Sequence, residues 1–164
     1  MTNLLEGHHA PDFTLKAIDG KEHSLKSALR HGPVVAAFFK ISCPVCQFTF
    51  PFLERVHEQF GGDAMTVLGI SQDNSRDTQR FNREYGVSFL TLIDEHPYPV
   101  SNAYGLTNVP SIFLIKPDGS ISVSCTGFSK SDIEKVATEL AAQKHIPAQP
   151  FFRASEIVPA YKPG

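Results

Sequence analysis

The run Val34-Val35-Ala36-Ala37-Phe38-Phe39 is apolar at every position, and four residues beyond it stands Cys43-Pro44-Val45-Cys46. A run of that length with no polar face reads as a strand covered on both sides. After it, Val45, Phe48, Phe52, Val56 and Phe60 fall at helical spacing. A buried strand that turns directly into a helix is the first half of a βαβ unit, which commits the chain to a sheet with parallel strands. The same turn carries two thiols that can close a small disulfide ring. The first sulfur lies among backbone N–H groups at the positive end of the helix dipole, a setting that favours thiolate. Pro44 suits the first helical turn, where its missing N–H needs no partner.

The chain has 164 residues, the size of one domain that buries roughly 70% of its unfolded surface without needing a disulfide. Three cysteines are too few for a secreted disulfide scaffold. A net charge of −2 and a pI near 6.4 offer no basic patch for nucleic acid or an anionic membrane. The stretch Met1-Thr2-Asn3-Leu4-Leu5-Glu6-Gly7 has no basic region and no long apolar run. The expectation from it is a chain with no signal peptide and no membrane span, cytoplasmic as written. The alternative, if a leader has been removed, is the bacterial periplasm or another extracytoplasmic site.

Around the first βα unit the pattern predicts a β-hairpin, a βαβαβ core and a closing ββα. Phe13 and Leu15 alternate with polar residues before an Asp19-Gly20 turn, and the chain returns through Glu22-His23-Ser24. Ser24 caps a short helix through Arg30, and Pro51 is expected to kink the helix that follows the dithiol. Strands are predicted at Val34–Phe39, Thr66–Ile70, Phe89–Ile93, Ile112–Ile115 and Ile121–Cys125. Helices are predicted at Ser75–Tyr85, Val100–Tyr104 and 131–143. The fold class is α/β, with a mixed central sheet flanked by helices on both faces and an added N-terminal hairpin. Residues 1–146 are assigned to this domain and 147–164 to a Pro-rich C-terminal tail, read as a partly ordered terminus, a docked arm or a dimer contact.

Cys43, at the cap, is the candidate attacking thiolate, and Cys46, one turn inward, the resolving thiol. Three other readings stand beside this one at the level of residues alone. The cysteines are two buried core residues, or they bind zinc, or they hold copper with a histidine such as His96. Zinc requires two more ligands, and no second C-x-x-C exists. Cys125, in an apolar strand, reads as a small core residue. Asp73 and Asn74 follow the second core strand and read as loop caps, at the end of the sheet where ligands bind in open α/β folds. Lys40 either raises thiolate character or faces solvent.

Further motifs carry a resemblance. They are Ala10-Pro11-Asp12-Phe13, Phe38-Phe39 before Cys43-Pro44-Val45-Cys46, Pro51, Tyr85-Gly86-Val87, Asn102-Ala103-Tyr104-Gly105, and Val109-Pro110-Ser111-Ile112-Phe113-Leu114-Ile115 followed by Pro117-Asp118-Gly119. Over about residues 7–143 the chain resembles the thioredoxin superfamily, in particular thiol–disulfide oxidoreductases of the TlpA/ResA type, which are related to the AhpC/TSA peroxiredoxins. The resemblance implies that Pro110 is cis and packs beside the cysteines, and that Val109 offers its backbone to an extended partner. Pro44 and Val45, between the thiols, complete the substrate-facing set.

The chain also departs from the family pattern. Ser42 replaces a tryptophan, Thr49 a glutamate three residues after the second cysteine, and Ala37 a buried aspartate. No obvious carboxylate therefore serves Cys46. A peroxidatic cysteine in the related peroxidases has Thr or Ser three residues before it, where Cys43 has Lys40 and Cys46 has Cys43. The expected function is thiol–disulfide exchange between the Cys43–Cys46 pair and a protein disulfide or dithiol, with an unidentified electron donor and no cofactor or metal. A peroxiredoxin-like hydroperoxide reductase and a metal-binding module are the alternatives.

Overall fold

The computed structural model describes residues 3–164. Met1 and Thr2, which open the stretch read above as lacking a leader and also the 1–146 domain, lie outside the described residues. Strands β1 (Thr14–Lys16) and β2 (Glu22–Ser24) form the antiparallel hairpin. Helix α1 (Leu25–Leu29) follows at once, capped by the Ser24 hydroxyl, which accepts the Ser27 N–H at 3.0 Å. Next come β3 (Val34–Phe39), α2 (Pro44–Phe60), β4 (Thr66–Ser71), α3 (Ser75–Tyr85), β5 (Leu90–Ile93) and α4 (Pro99–Ala103). The chain continues through β6 (Ser111–Ile115), β7 (Ile121–Thr126), β8 (Phe128–Ser129), α5 (Lys130–Gln143) and β9 (Tyr161–Lys162).

The central sheet has the order β5-β4-β3-β6-β7. Strands β3, β4 and β5 run parallel, whereas β6 is antiparallel to β3 and β7 to β6. Strand β3 is the middle member and all six of its side chains are buried. Its period of two sends Val35, Ala37 and Phe39 to one face and Val34, Ala36 and Phe38 to the other. The first face is covered by α2, α3 and α5. The second is covered by the hairpin, α1 and α4, with Tyr104 fully buried and its hydroxyl donating to the Pro11 carbonyl at 2.7 Å.

Helix α2 is apolar over a wider arc than one stripe. Cys46, Phe50, Leu53, Val56 and Phe60 face the sheet, while Phe48 and Phe52, counted above in a single stripe, point sideways. There they meet Phe128, at 5.0 and 5.9 Å between ring centroids, and Phe52 also meets Phe152 at 5.1 Å. The helix runs unbroken through Pro51.

Part of the stretch 147–164, expected as a Pro-rich tail, lies along this sideways face, whereas residues 147–150 and Ile157 are exposed. Phe151 and Phe152 are buried. Arg55 binds Glu156 through two parallel bonds of 2.9 and 2.8 Å, and its guanidinium lies over the Phe52 and Phe151 rings. Beyond that anchor β9 pairs antiparallel with β8. The Glu156 carboxyl is held down to about 2, first by the hydrogen bonds from Arg55 and then by the Arg153 N–H.

Two outcomes are expected. Phe50, with no exposure and rings of Phe39, Phe81 and Phe89 around it, should cost about 3–5 kcal/mol as Phe50→Ala, read by urea denaturation. The folded Glu156 carboxyl titrates below its ordinary value of 4.5. Its contribution to docking is therefore complete above that pH and is lost as pH falls toward 2. Amide exchange at Arg153 should lose protection across that window, and protection unchanged down to pH 2 would contradict the anchor.

Candidate functional site

The dithiol sits where β3 ends and α2 begins. Cys43 is the cap residue, in extended conformation, and its sulfur accepts the Cys46 N–H at 3.1 Å. Here a thiol takes the place that a serine or aspartate oxygen usually holds, meeting one of the unpaired donors of the first turn. The Cys43 thiol also lies 3.4 Å from the Val109 carbonyl, to which it donates. Cys43 is half-buried, whereas Cys46 has no exposed surface. All three cysteines are free thiols.

Burial pushes the Cys46 thiol far above the usual cysteine range. The hydrogen bond with Cys43 acts in the same direction, a backbone hydrogen bond at Lys40 acts against it, and the negative charges of Cys43 and Asp73 add smaller upward pushes. The Asp73 charge is the smallest of these influences, and its carboxylate bonds the backbone before the dithiol rather than Cys46 itself. Its position after β4 was the available signal. Its carboxylate accepts the Ile41 N–H at 2.8 Å, and Gln47 donates to the Ile41 carbonyl at 2.9 Å. The peptide two residues before Cys43 is thus gripped from both sides, a role for Gln47 and Ile41 that sequence reasoning missed.

Thr49 is fully buried, and its hydroxyl donates back to the Val45 carbonyl at 2.6 Å. The buried carboxylate of α2, Glu54, binds the Ser88 N–H and hydroxyl, at 2.8 and 2.5 Å, and so ties the loop before β5 to the helix. Lys40 is half-buried, beside Cys43 in the same cleft, with its Nζ 5.9 Å from the Tyr98 ring centroid.

The Val109–Pro110 peptide is cis and Pro110 is buried. The Ser111 hydroxyl donates to the Asn108 carbonyl at 2.8 Å, Asn3 donates to Ser111, and Gly127 N–H binds the Pro110 carbonyl. These bonds fix the 108–110 loop at the start of β6. The site residues read from sequence thus come together: Cys43, Pro44 and Val109 line one cleft of about 420 Å³. Val45 is half-buried between the two cysteines. Cys125 lies apart, buried beside α5, and burial first and then the Asp132 charge push its thiol up to about 12. His96 packs on Tyr98. Among the described residues no group of three or more His, Cys, Asp or Glu side chains is placed to hold a metal ion, and no helix is long and apolar enough to cross a membrane.

Comparison with known proteins places this arrangement. The model of the AhpC/TSA family matches residues 7–124. The thiol-disulfide oxidoreductase ResA of Geobacillus thermodenitrificans is 28% identical over 136 residues, which span 82% of this chain and 77% of that protein. The bcp protein of Helicobacter pylori, provisionally named a peroxiredoxin, is 36% identical over 131 residues, 73% of this chain and 86% of that protein. Among solved structures, the thioredoxin domain of the thiol-disulfide oxidoreductase BVU-2223 from Bacteroides vulgatus superposes with a TM-score of 0.73. It is 21% identical and the match covers 88% of this chain and 99% of that one, a likeness of fold.

The two buried thiols have a consequence for stability. Both titrate above the ordinary cysteine value of 9.0 in the folded chain, so the folded state keeps their protons longer than the unfolded state does. Their contribution is complete below pH 9 and declines as pH rises, by about 1.4 kcal/mol per unit for each thiol. The urea midpoint should fall from pH 9 upward, and less steeply in Cys125→Ala. A midpoint flat to pH 11 would contradict the burial of both groups.

Proposed function

The chain belongs to the AhpC/TSA family, and on that premise we propose that it is a thiol–disulfide oxidoreductase with Cys43 as the attacking and Cys46 as the resolving sulfur. One observation carries the reading: the half-buried Cys43 sulfur accepts the Cys46 N–H at the cap of α2, with the fully buried Cys46 behind it. The Cys43 thiolate attacks one sulfur of a partner disulfide. A bond forms between that sulfur and Cys43, and the partner's second sulfur leaves as a thiolate and takes a proton. Cys46 then gives up its proton and attacks Cys43. The Cys43–Cys46 disulfide forms, the partner's first sulfur is released as a thiol, and two electrons have passed to the partner. A dithiol donor returns the pair to its reduced form.

The partner class is a protein disulfide or dithiol, presented to Cys43 along Val109, Pro44 and Val45 beside the buried Pro110. The direction of electron flow is read from the potential of the Cys43–Cys46 couple: a value below about −200 mV makes the chain a reductant, and one near about −120 mV an oxidant.

The bcp relative raises a second reading, a hydroperoxide reductase. Against it, the hydrogen-bond partners of Cys43 are a carbonyl and a backbone N–H, with no hydroxyl to orient a peroxide, and the Thr49 hydroxyl is spent on Val45.

The protein should reduce insulin disulfides with dithiothreitol as donor. Cys43→Ser should abolish this. Cys46→Ser should leave a covalent partner complex on a non-reducing gel, and the reverse pattern would exchange the two roles. Stopped-flow reaction with hydrogen peroxide should be no faster than that of an ordinary accessible thiolate. A dedicated-peroxidase rate would install the second reading.

A further inference from the structure

The cleft beside Cys43 is lined by Lys40, Pro44 and Gln72 on one side and by the 106–109 loop on the other, and Gly164 closes it. Gly164 stands so near the loop that a Cβ on it would lie 2.5 Å from the Val109 oxygen. The Asn108 side chain donates to the Gly164 carbonyl at 3.3 Å. Two residues earlier the Lys162 ammonium sits 4.7 Å from the Phe48 ring centroid. Strand β9 holds this stretch through its pairing with β8, and Lys130 N–H binds the Ala160 carbonyl at 3.0 Å. Gly127, at φ +74°, lets the two backbones meet, since a Cβ there would be 2.4 Å from the Lys162 oxygen. Segment 161–164 therefore has a fitted seat, and that seat ends on Val109.

A residue joined to Cys43 by a disulfide keeps its Cα within about 7 Å of the Cys43 Cα. Its neighbours in an extended chain must then run past Val109, whose carbonyl stands beside the Cys43 sulfur, and Asn108, which lines the same cleft. Gly164 occupies that path. A small disulfide has no flanking chain and meets no such obstacle.

We propose that segment 161–164 is the specificity determinant of the site, a strap on the Val109 edge that leaves Cys43 open to small disulfides and must be displaced by an extended polypeptide. This rests on the reading of Cys43 as the attacking thiol. A strap seated about nine-tenths of the time lowers the apparent reactivity toward polypeptides about tenfold. An anchor upstream at Arg55–Glu156 keeps the segment near its seat after displacement.

The test uses the full chain and Gly164→Val, whose side chain cannot fit against the Val109 carbonyl, together with Lys162→Ala, which gives up the Phe48 contact. Rate constants are measured with insulin and with cystamine. The insulin-to-cystamine ratio should rise about tenfold in the Gly164→Val, Lys162→Ala double variant. A ratio unchanged within about twofold, or one that falls, overturns the proposal; a fall would make the segment a docking wall instead. A separate measurement follows alkylation of Cys43 by iodoacetamide and by a maleimide on a polyethylene glycol chain. The bulky-to-small ratio should rise in the same variant whether or not disulfide exchange occurs, and an unchanged ratio again overturns the strap. If neither disulfide reacts with either protein while the alkylation ratio rises, the strap stands and the exchange activity is what fails.

Discussion

Because every side chain of β3 is withdrawn from water, both faces of the central sheet have to be covered, and the covering elements decide what the end of β3 can do. The strand delivers its last residues to a point enclosed by α2 on one side and the hairpin, α1 and α4 on the other. Burying six apolar side chains contributes on the order of 10 kcal/mol, far more than any single contact near the dithiol. The loop 40–43 is therefore held by a rigid base. What remains for local chemistry is fine placement, by the Asp73 and Gln47 bonds to the Ile41 peptide and by the Ser111 bond to Asn108. Cys43 and Val109 approach to 3.4 Å because two separately anchored loops end at the same edge of the sheet.

The parts legible in the sequence are those whose signal is local or periodic. The apolar run at 34–39, the cap chemistry at Cys43, the Ser24 cap and the Asp19-Gly20 turn each state their geometry within a few residues. Strand β4 ran one residue beyond its predicted end and β5 began one residue inside its predicted start, the usual uncertainty of frayed ends. Strands β8 and β9 have two residues each, too few for a period of two to show. Arg55 and Glu156 are 101 residues apart, and neither differs in kind from a solvated charge. Glu54 was equally silent, since a glutamate on a helix normally faces water, and its Ser88 partners lie across a turn of the fold. One signal for the docked segment did exist. Phe48 and Phe52 lie on a second apolar stripe of α2, separate from the stripe that meets the sheet, and an uncovered stripe of that kind requires something to cover it.

Under the proposed roles, the residue behind Cys43 separates exchange from peroxide chemistry. Exchange asks Cys46 to stay protonated until a mixed disulfide forms beside it, which burial enforces. Asp73 adds a negative charge that raises the same thiol further. Peroxide reduction asks instead for a donor aimed at the oxygen next to Cys43, and Thr49, the nearest hydroxyl on the helix, is turned back onto Val45. The same helix thus carries one buried thiol suited to resolution and no free hydroxyl suited to peroxide, so the higher identity to the bcp protein reports shared ancestry more than shared chemistry.

Helix α2 links the dithiol to the docked segment without any long-range device. Its first turn holds the sulfur of Cys43, its inward stripe holds Cys46 out of water, and its sideways stripe offers Phe48 to Lys162 and Phe52 to Phe152. Covering that second stripe requires chain from 151 onward to run along the helix toward its N-terminal end, because Phe128 and the short β8 edge lie in that direction. A segment that follows the helix to its first turn necessarily arrives at the dithiol. The approach of Gly164 to Val109 is the geometric outcome of covering an apolar face that begins two residues after Cys46.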